Sequence, residues 1–328
     1  MSKPPNNHDK PQSSYKKDVP LLSLVVPVFN EAESVGVFVQ TVKNVFDDIN
    51  HLKIEILFVN DGSHDDTLEK LLLLQKKNNH IRIVDLSRNF GKEAALTAGL
   101  IACKGDLVVP IDVDLQDPPE VILEMLDKWH EGYEVVVAKR VDRSSDTWLK
   151  RTSANLFYRV HNKIAEPTIP ENVGDFRLMD RKVVDALNQL PESKRFMKGL
   201  FAWIGFQTAV VEFERQGRAE GKTKFNGLRL FGLAIEGLIS FSVVPLRLWT
   251  FLGSLIAMAS FLFVMTILVR FFVFGVDVPG YASLIVAITF LGGLQLVGIG
   301  VLGEYLGRVF VESKRRPVFI VRHTYEAK

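Results

Sequence analysis

LVVPIDVDLQDPPE, residues 107–120, passes within a few positions from an apolar, β-branched run to a cluster of carboxylates: Asp112, Asp114, Asp117 and Glu120. A short apolar run closed by polar residues and prolines reads as a strand buried on both faces. The same reading applies on either side of it. LLSLVVPVF (21–29) ends in Asn30-Glu31, and IEILFVN (54–60) ends in Asp61-Gly62-Ser63. IRIVDLS (81–87) runs into Arg88-Asn89-Phe90-Gly91-Lys92, and EVVVAKR (134–140) is a fifth strand. Helical patterns separate them: a stretch reaching about Ile49, LEKLLLLQKK (68–77), EAALTAGLIAC (93–103) and VILEMLDKWHEG (121–132). Strands alternating with helices predict an α/β fold with a mostly parallel sheet flanked by helices. Ligands of such sheets bind beyond the carboxyl ends of the strands, where these polar residues gather.

The acidic cluster divides by position. Side chains on an extended chain alternate faces, so Asp112, Asp114 and Gln116 share one face if the extension continues past the strand. Three oxygen donors on one face suit a hard divalent cation, Mg²⁺ or Mn²⁺, with sites left for water and phosphate oxygens. An acid/base pair of carboxylates is the competing use. Asp117-Pro118-Pro119-Glu120 reads instead as a helix start, with Asp as N-cap, Pro at the first position and Glu at the third. Ser63, with Asp66 three residues on, reads as another N-cap. Lys92 with Arg88 either faces a diphosphate or caps a helix. No GxGxxG or GxxxxGK[ST] follows the first strand, which disfavours a dinucleotide fold and a P-loop.

The 328 residues are 47% hydrophobic, enough for a packed core and something more. A net charge of +2 gives no argument for a nucleic-acid partner, and a single cysteine excludes an internal disulfide. Leu248–Val269 and Tyr281–Gly303 carry no charged residue. Each exceeds the ~20 residues that span a bilayer, so a two-helix transmembrane hairpin is expected. Gly292, Gly293 and Gln295 in the second run point to close helix packing, within the chain or between subunits. The basic residues flank the hairpin, from Arg229 and Arg247 on one side to Arg308, Lys314, Arg315 and Arg316 on the other, with Arg270 alone in the loop between. This bias predicts cytoplasmic flanks. The domains expected are a disordered tail (1–20), a cytoplasmic catalytic domain (21–225), interfacial amphipathic helices (226–247), the hairpin (248–303) and a basic cytoplasmic tail (304–328). The polar N-terminal tail has no apolar core of a signal peptide. The basic stretch 138–163 is either a solvated face or a surface near anionic lipid.

VVPVFNE, VNDGS, RNFGKEAAL, PIDVDLQDPPE, NVGDFRLMDR and RAEGKTKFN, in this order, resemble family 2 glycosyltransferases of the GT-A fold. Within that family the chain is similar to polyprenyl-phosphate glycosyltransferases of the dolichyl-phosphate-mannose-synthase type, and most of all to bactoprenol glucosyltransferases of O-antigen and lipopolysaccharide modification. The resemblance covers about residues 21–322. It implies that Pro27, Phe29, Asn30, Glu31, Asp61 and Asp112 bind the nucleotide-sugar, and that Asp112, Asp114 and Gln116 hold the metal on its diphosphate. It places Asp114, Asp175 and Arg177 at the reacting centre, and Arg218, Lys224, Arg215 and Lys92 on donor or acceptor phosphates. Thr223 stands where serine is common and keeps the hydroxyl. The resemblance further implies a hexose, glucose from UDP-glucose, transferred with inversion to undecaprenyl phosphate. It also implies a homotetramer in the bacterial inner membrane with both termini cytoplasmic.

Other readings share parts of the pattern. A donor such as GDP-mannose uses the same metal site. A processive polysaccharide synthase would carry QxxRW, which is missing around Trp203 and Trp249. A sugar-nucleotide pyrophosphorylase would need a Gly-rich loop after the first strand. A flippase component or membrane scaffold would have no use for intact DxD and RxxGxTK patterns.

Overall fold

The computed structural model describes residues 19–47, 49, 51–141, 173–192, 195–214, 244–274 and 280–327. The chain divides into two compact units, one of which takes in the C-terminal segment 317–328 and the other residues 226–316.

The first unit is built on β1 (Leu21–Val28), α1 (Ser34–Phe46), β2 (Lys53–Asn60), α2 (Thr67–Lys77), β3 (Ile81–Leu86), α3 (Lys92–Ala102), β4 (Leu107–Pro110), α4 (Val121–His130) and β5 (Val135–Arg140). It continues with β6 (Val173–Asp180), α5 (Arg181–Asn188), α6 (Met197–Trp203), β7 (Thr208–Phe213) and β8 (Val321–Tyr325). The eight strands form one sheet in the order β7-β5-β6-β4-β1-β2-β3-β8. β4, β1, β2 and β3 pair in parallel, as do β5 and β7, whereas β6 and β8 run against their neighbours. The sheet is therefore mostly parallel, as the alternation predicted.

Strand β3 is buried at every position and β2 at all but its first two, because helices cover both faces. β7 alternates exposed and buried residues, the mark of a strand with one wet face. Helix α1 buries Val35, Phe38, Val39, Val42 and Phe46, one stripe at helical spacing, and Phe38 meets Phe58 edge-on at 5.9 Å. Each such side chain contributes about 1.5–3 kcal/mol on full burial. Helix α3 approaches β1 and β2 through Gly99, where an added Cβ would lie 2.2 Å from a Val25 methyl.

Three local expectations change. Helix α2 starts after Asp66, and the Asp65 carboxylate, not Ser63, accepts from the Thr67 amide at 3.1 Å. Helix α4 begins at Val121, because tight turns from Pro118, Pro119 and Glu120 precede it. The C-terminal stretch, expected as a basic tail, contains β8 on the edge of β3. VRHTY is short and polar, and an edge strand's partner lies far away in sequence, so periodicity gives no sign of it.

The second unit holds α7 (Val244–Phe274) and α8 (Tyr281–Ser313). Both overrun the uncharged stretches, and α7 includes Val244–Arg247, expected to be interfacial. The remaining interfacial stretch, 226–243, lies outside the described residues. The two helices meet where Trp249 lies against Gly298, leaving no room there for a Cβ. Gly292 and Gly293, expected at a close packing, have open space around them. Among the described residues one helical segment, Phe290–Ser313 with mean hydropathy 1.4, is long and apolar enough to cross a membrane.

Candidate active site

A cleft of about 310 Å³ opens at the carboxyl edge of the parallel strands. The loops after β1, β2, β3 and β4 all contribute to it.

The β1–α1 loop turns at Asn30, whose φ of 56° is a left-handed conformation that asparagine tolerates. Its amide donates to Ser63 Oγ at 3.0 Å, and its own Oδ1 accepts from the His64 amide at 2.9 Å. The Glu31 amide donates to Thr67 Oγ1 at 2.9 Å, which further ties the first loop to the second. Pro27, Phe29 and Glu31 line the cleft. Phe29 is exposed there and meets the His64 ring edge-on at 6.2 Å.

Asp61 lines the cleft but is only 3% exposed, and its carboxylate is already engaged. Oδ1 accepts from the Phe90 amide at 2.7 Å and Oδ2 from the Gly91 amide at 2.9 Å. It therefore pins the β3–α3 loop against the end of β2. Burial raises its pKa, with the two amides and Arg88 pulling the other way. Gly62 makes this contact possible. Its φ is +65°, and an added Cβ would fall 2.4 Å from the Arg88 carbonyl carbon.

Lys92, the first residue of α3, joins three strand ends. Its Nζ lies 2.7 Å from Asp112 Oδ1 and 3.5 Å from Asp175 Oδ2. Burial opposes its charge, but the two carboxylates outweigh that and hold its pKa above the ordinary lysine range. The next residue, Glu93, was not singled out in the sequence, because an acid in a first helical turn is unremarkable there. Its carboxylate accepts from the Met197 amide at 3.3 Å. It keeps a solvent-facing surface, yet the surrounding protein and the Asp175 charge push its pKa up to about 7.

Asp112 and Asp114 both line the cleft. Gln116 does not join them. Leu115 adopts a φ of 55°, which ends the extended alternation, and Gln116 is buried at 5% exposure with its amide donating to Asp114 Oδ1 at 3.2 Å. Among the described residues no group of three or more His, Cys, Asp or Glu stands ready to hold a metal. Two aspartates facing an open cleft nevertheless fit a magnesium-type ion, which takes few protein ligands and completes its shell with water and phosphate oxygens.

Asp175 and Arg177 share one face of β6. Asp175 Oδ1 is buried and, among the described residues, has no hydrogen-bond partner. Arg177 is 6% exposed, stacks on the Phe201 ring at 3.8 Å and donates to the Gly174 carbonyl at 2.8 Å. Burial lowers its pKa to about 10 against the pull of Asp175. Arg215, Arg218 and Lys224 lie outside the described residues.

The fold and the cleft define the class: an α/β protein whose cleft, at the carboxyl edge of its parallel strands, is lined by aspartates and a lysine. Residues 23–187 match the family described as Glycosyl transferase family 2, and the chain belongs to that family. It is 52% identical over 302 residues to a bactoprenol glucosyl transferase of Shigella phage SfV, covering 92% of this chain and 98% of that one. It is 51% identical over 302 residues to an uncharacterized glycosyltransferase of Synechocystis sp., covering 92% and 94%. The solved mannosyl-3-phosphoglycerate synthase of Rubrobacter xylanophilus is similar at a TM-score of 0.47 and 21% identity, over 67% of this chain and 73% of that one.

Proposed function

We propose that the protein is a metal-dependent polyprenyl-phosphate glucosyltransferase. It takes glucose from UDP-glucose and gives it, with inversion, to undecaprenyl phosphate at the cytoplasmic face of a bacterial inner membrane. The product serves O-antigen or other envelope-glycan modification. The observation that carries this reading is the convergence of Asp112, Asp114 and Lys92 at one cleft, with Asp175 beside Lys92, in a chain about half identical over nearly its whole length to a bactoprenol glucosyl transferase.

In the reaction the C1–O bond to the donor diphosphate breaks and its electron pair leaves with the nucleoside diphosphate. A new C1–O bond forms to an oxygen of the acceptor phosphate. Asp112 and Asp114 would hold Mg²⁺ or Mn²⁺, which when bound supplies positive charge to the leaving diphosphate. Lys92, held between Asp112 and Asp175, would add a fixed cation at the same end. The acceptor is already anionic, so no residue is required as general base. The buried Oδ1 of Asp175 is then available to orient the sugar or acceptor, with Arg177 and Phe201 holding β6 behind it. Arg215, Arg218 and Lys224 are assigned to the phosphates by the family pattern alone.

Topology supports a membrane hairpin. The chain leaves the sheet after β7, passes through α7 and α8, and returns to the same sheet as β8. A bilayer crossed on that path must be crossed an even number of times. If Phe290–Ser313 spans, a second crossing is required, for which α7 is the candidate, and both flanks would share the cytoplasmic side that the basic residues favour. A homotetramer is proposed from the family resemblance. The function is tested with Asp114→Asn in membranes. Loss of sugar transfer with insertion intact supports the metal assignment, and unchanged transfer refutes it.

A further inference from the structure

The C-terminal strand β8 reaches the roots of two cleft loops through one side chain. β8 pairs with β3 through Ile83–Tyr325, Val84–Thr324 and Asp85–His323, and then the register shifts, so that Leu86 faces Val321. Arg322 falls at that shift. Its Nη2 donates to the Ser87 carbonyl at 2.7 Å, and its Nη1 lies 3.4 Å from Asp85 Oδ2. The Ser87 amide in turn donates to the Ile320 carbonyl at 2.9 Å, so β8 and its approach hold both main-chain groups of Ser87. Ser87 is the root of the loop that delivers Phe90 and Gly91 to Asp61 and Lys92 to Asp112.

The contact with Asp85 leads to the other loop. Asp85 is 1% exposed, and its Oδ1 accepts from Asn60 Nδ2 at 2.7 Å. Asn60 is equally buried, and its Oδ1 accepts from the Ser63 amide at 3.3 Å. Ser63 Oγ holds the Asn30 amide. A buried carboxylate needs a cation and satisfied lone pairs to remain in place. Arg322 supplies the cation, and Asn60 passes the constraint to the Asp61–Ser63 turn. The far end of β8 is anchored separately, away from the cleft, where Glu326 makes a two-pronged contact with Arg82 and another with Lys104.

We infer that Arg322 is a positioning residue for the nucleotide-sugar donor: it fixes, from outside the cleft, the two loops that shape the donor side. The inference rests on the glycosyl-transfer reading for its substrate. The test uses the full-length protein in detergent, comparing Arg322→Gln, Arg322→Lys and Glu326→Gln. Donor and acceptor KM, kcat, melting temperature and UDP affinity with Mn²⁺ by calorimetry are measured for each. Arg322→Gln is expected to raise donor KM and weaken UDP binding at least about ten-fold, with acceptor KM within about two-fold. Arg322→Lys, which keeps charge but loses the guanidinium fork, recovers part of the loss. Glu326→Gln loosens the strand and lowers the melting temperature with donor KM unchanged. A donor KM moved equally by Glu326→Gln, or unmoved by Arg322→Gln, overturns the inference. If the wild-type protein binds UDP but transfers no sugar, the transferase reading fails, and the UDP affinities still decide the role of Arg322.

Discussion

Asp61→Ala separates two roles for one carboxylate. The family pattern makes Asp61 a nucleotide contact, whereas both its oxygens already accept backbone amides, from Phe90 at 2.7 Å and Gly91 at 2.9 Å. A hydrogen bond to a charged group contributes about 1.5–3 kcal/mol, so removing two forfeits roughly 3–6 kcal/mol. Part of this is returned, because the carboxylate no longer has to be held at 3% exposure, a burial that raises its pKa. The net loss should be about 3 kcal/mol, a fall in melting temperature of about 6–12 °C for a domain of this size. Asp61→Asn keeps one acceptor but turns an amide donor toward an N–H, and should lose at least half as much. The assay is thermal unfolding of ligand-free protein, followed by UDP titration. A side chain that only touched nucleotide would weaken UDP binding and leave the ligand-free protein alone. An Asp61→Ala protein that melts within about 1 °C of wild type, the scatter of a neutral surface change, refutes the pinning role.

Lys92→Met should leave Asp112 and Asp175 without their shared cation. Transfer should fall by about a hundred-fold or more, while Mn²⁺ binding without nucleotide tightens, because a competitor for Asp112 is gone. Both are read by a transfer assay and by calorimetry. Glu93 has its pKa raised from 4.5 to about 7, so the folded state binds its proton more tightly than the unfolded state. Stability from this group is full at low pH and is lost as pH rises from about 4.5 to about 7. Glu93→Gln should flatten that part of the melting-temperature profile, between about pH 4.5 and 7. Arg177→Lys should cost about 1–3 kcal/mol in denaturant unfolding, since lysine cannot stack on Phe201 as a plane while reaching the Gly174 carbonyl.

The parallel part of the fold was legible because buried strands such as LVVP of β4 are uninterrupted apolar runs. β6 was not, since VGDFRLMD carries two aspartates and an arginine: Asp175 and Arg177 turn toward the site, and Asp180 caps the next helix by accepting from the Lys182 amide. The site followed the same division. Asp112 and Asp114 were readable because the end of β4 fixes where they stand. Gln116 was misplaced because a single left-handed residue, Leu115, ends the alternation on which it was counted. Ser63 looked like a helix cap by local spacing and instead serves Asn30, a partner 33 positions away. Asp61, Lys92 and Arg322 make their contacts across loops distant in sequence, and no local pattern records such pairs.

The most direct test supplies purified full-length protein with undecaprenyl phosphate, Mg²⁺ or Mn²⁺, and a panel of UDP- and GDP-sugars. The expected result is a lipid-linked hexose formed from UDP-glucose alone and abolished by EDTA. A product from another donor would correct the sugar. No lipid-linked product from any donor, in a preparation that binds UDP, would contradict the transferase account.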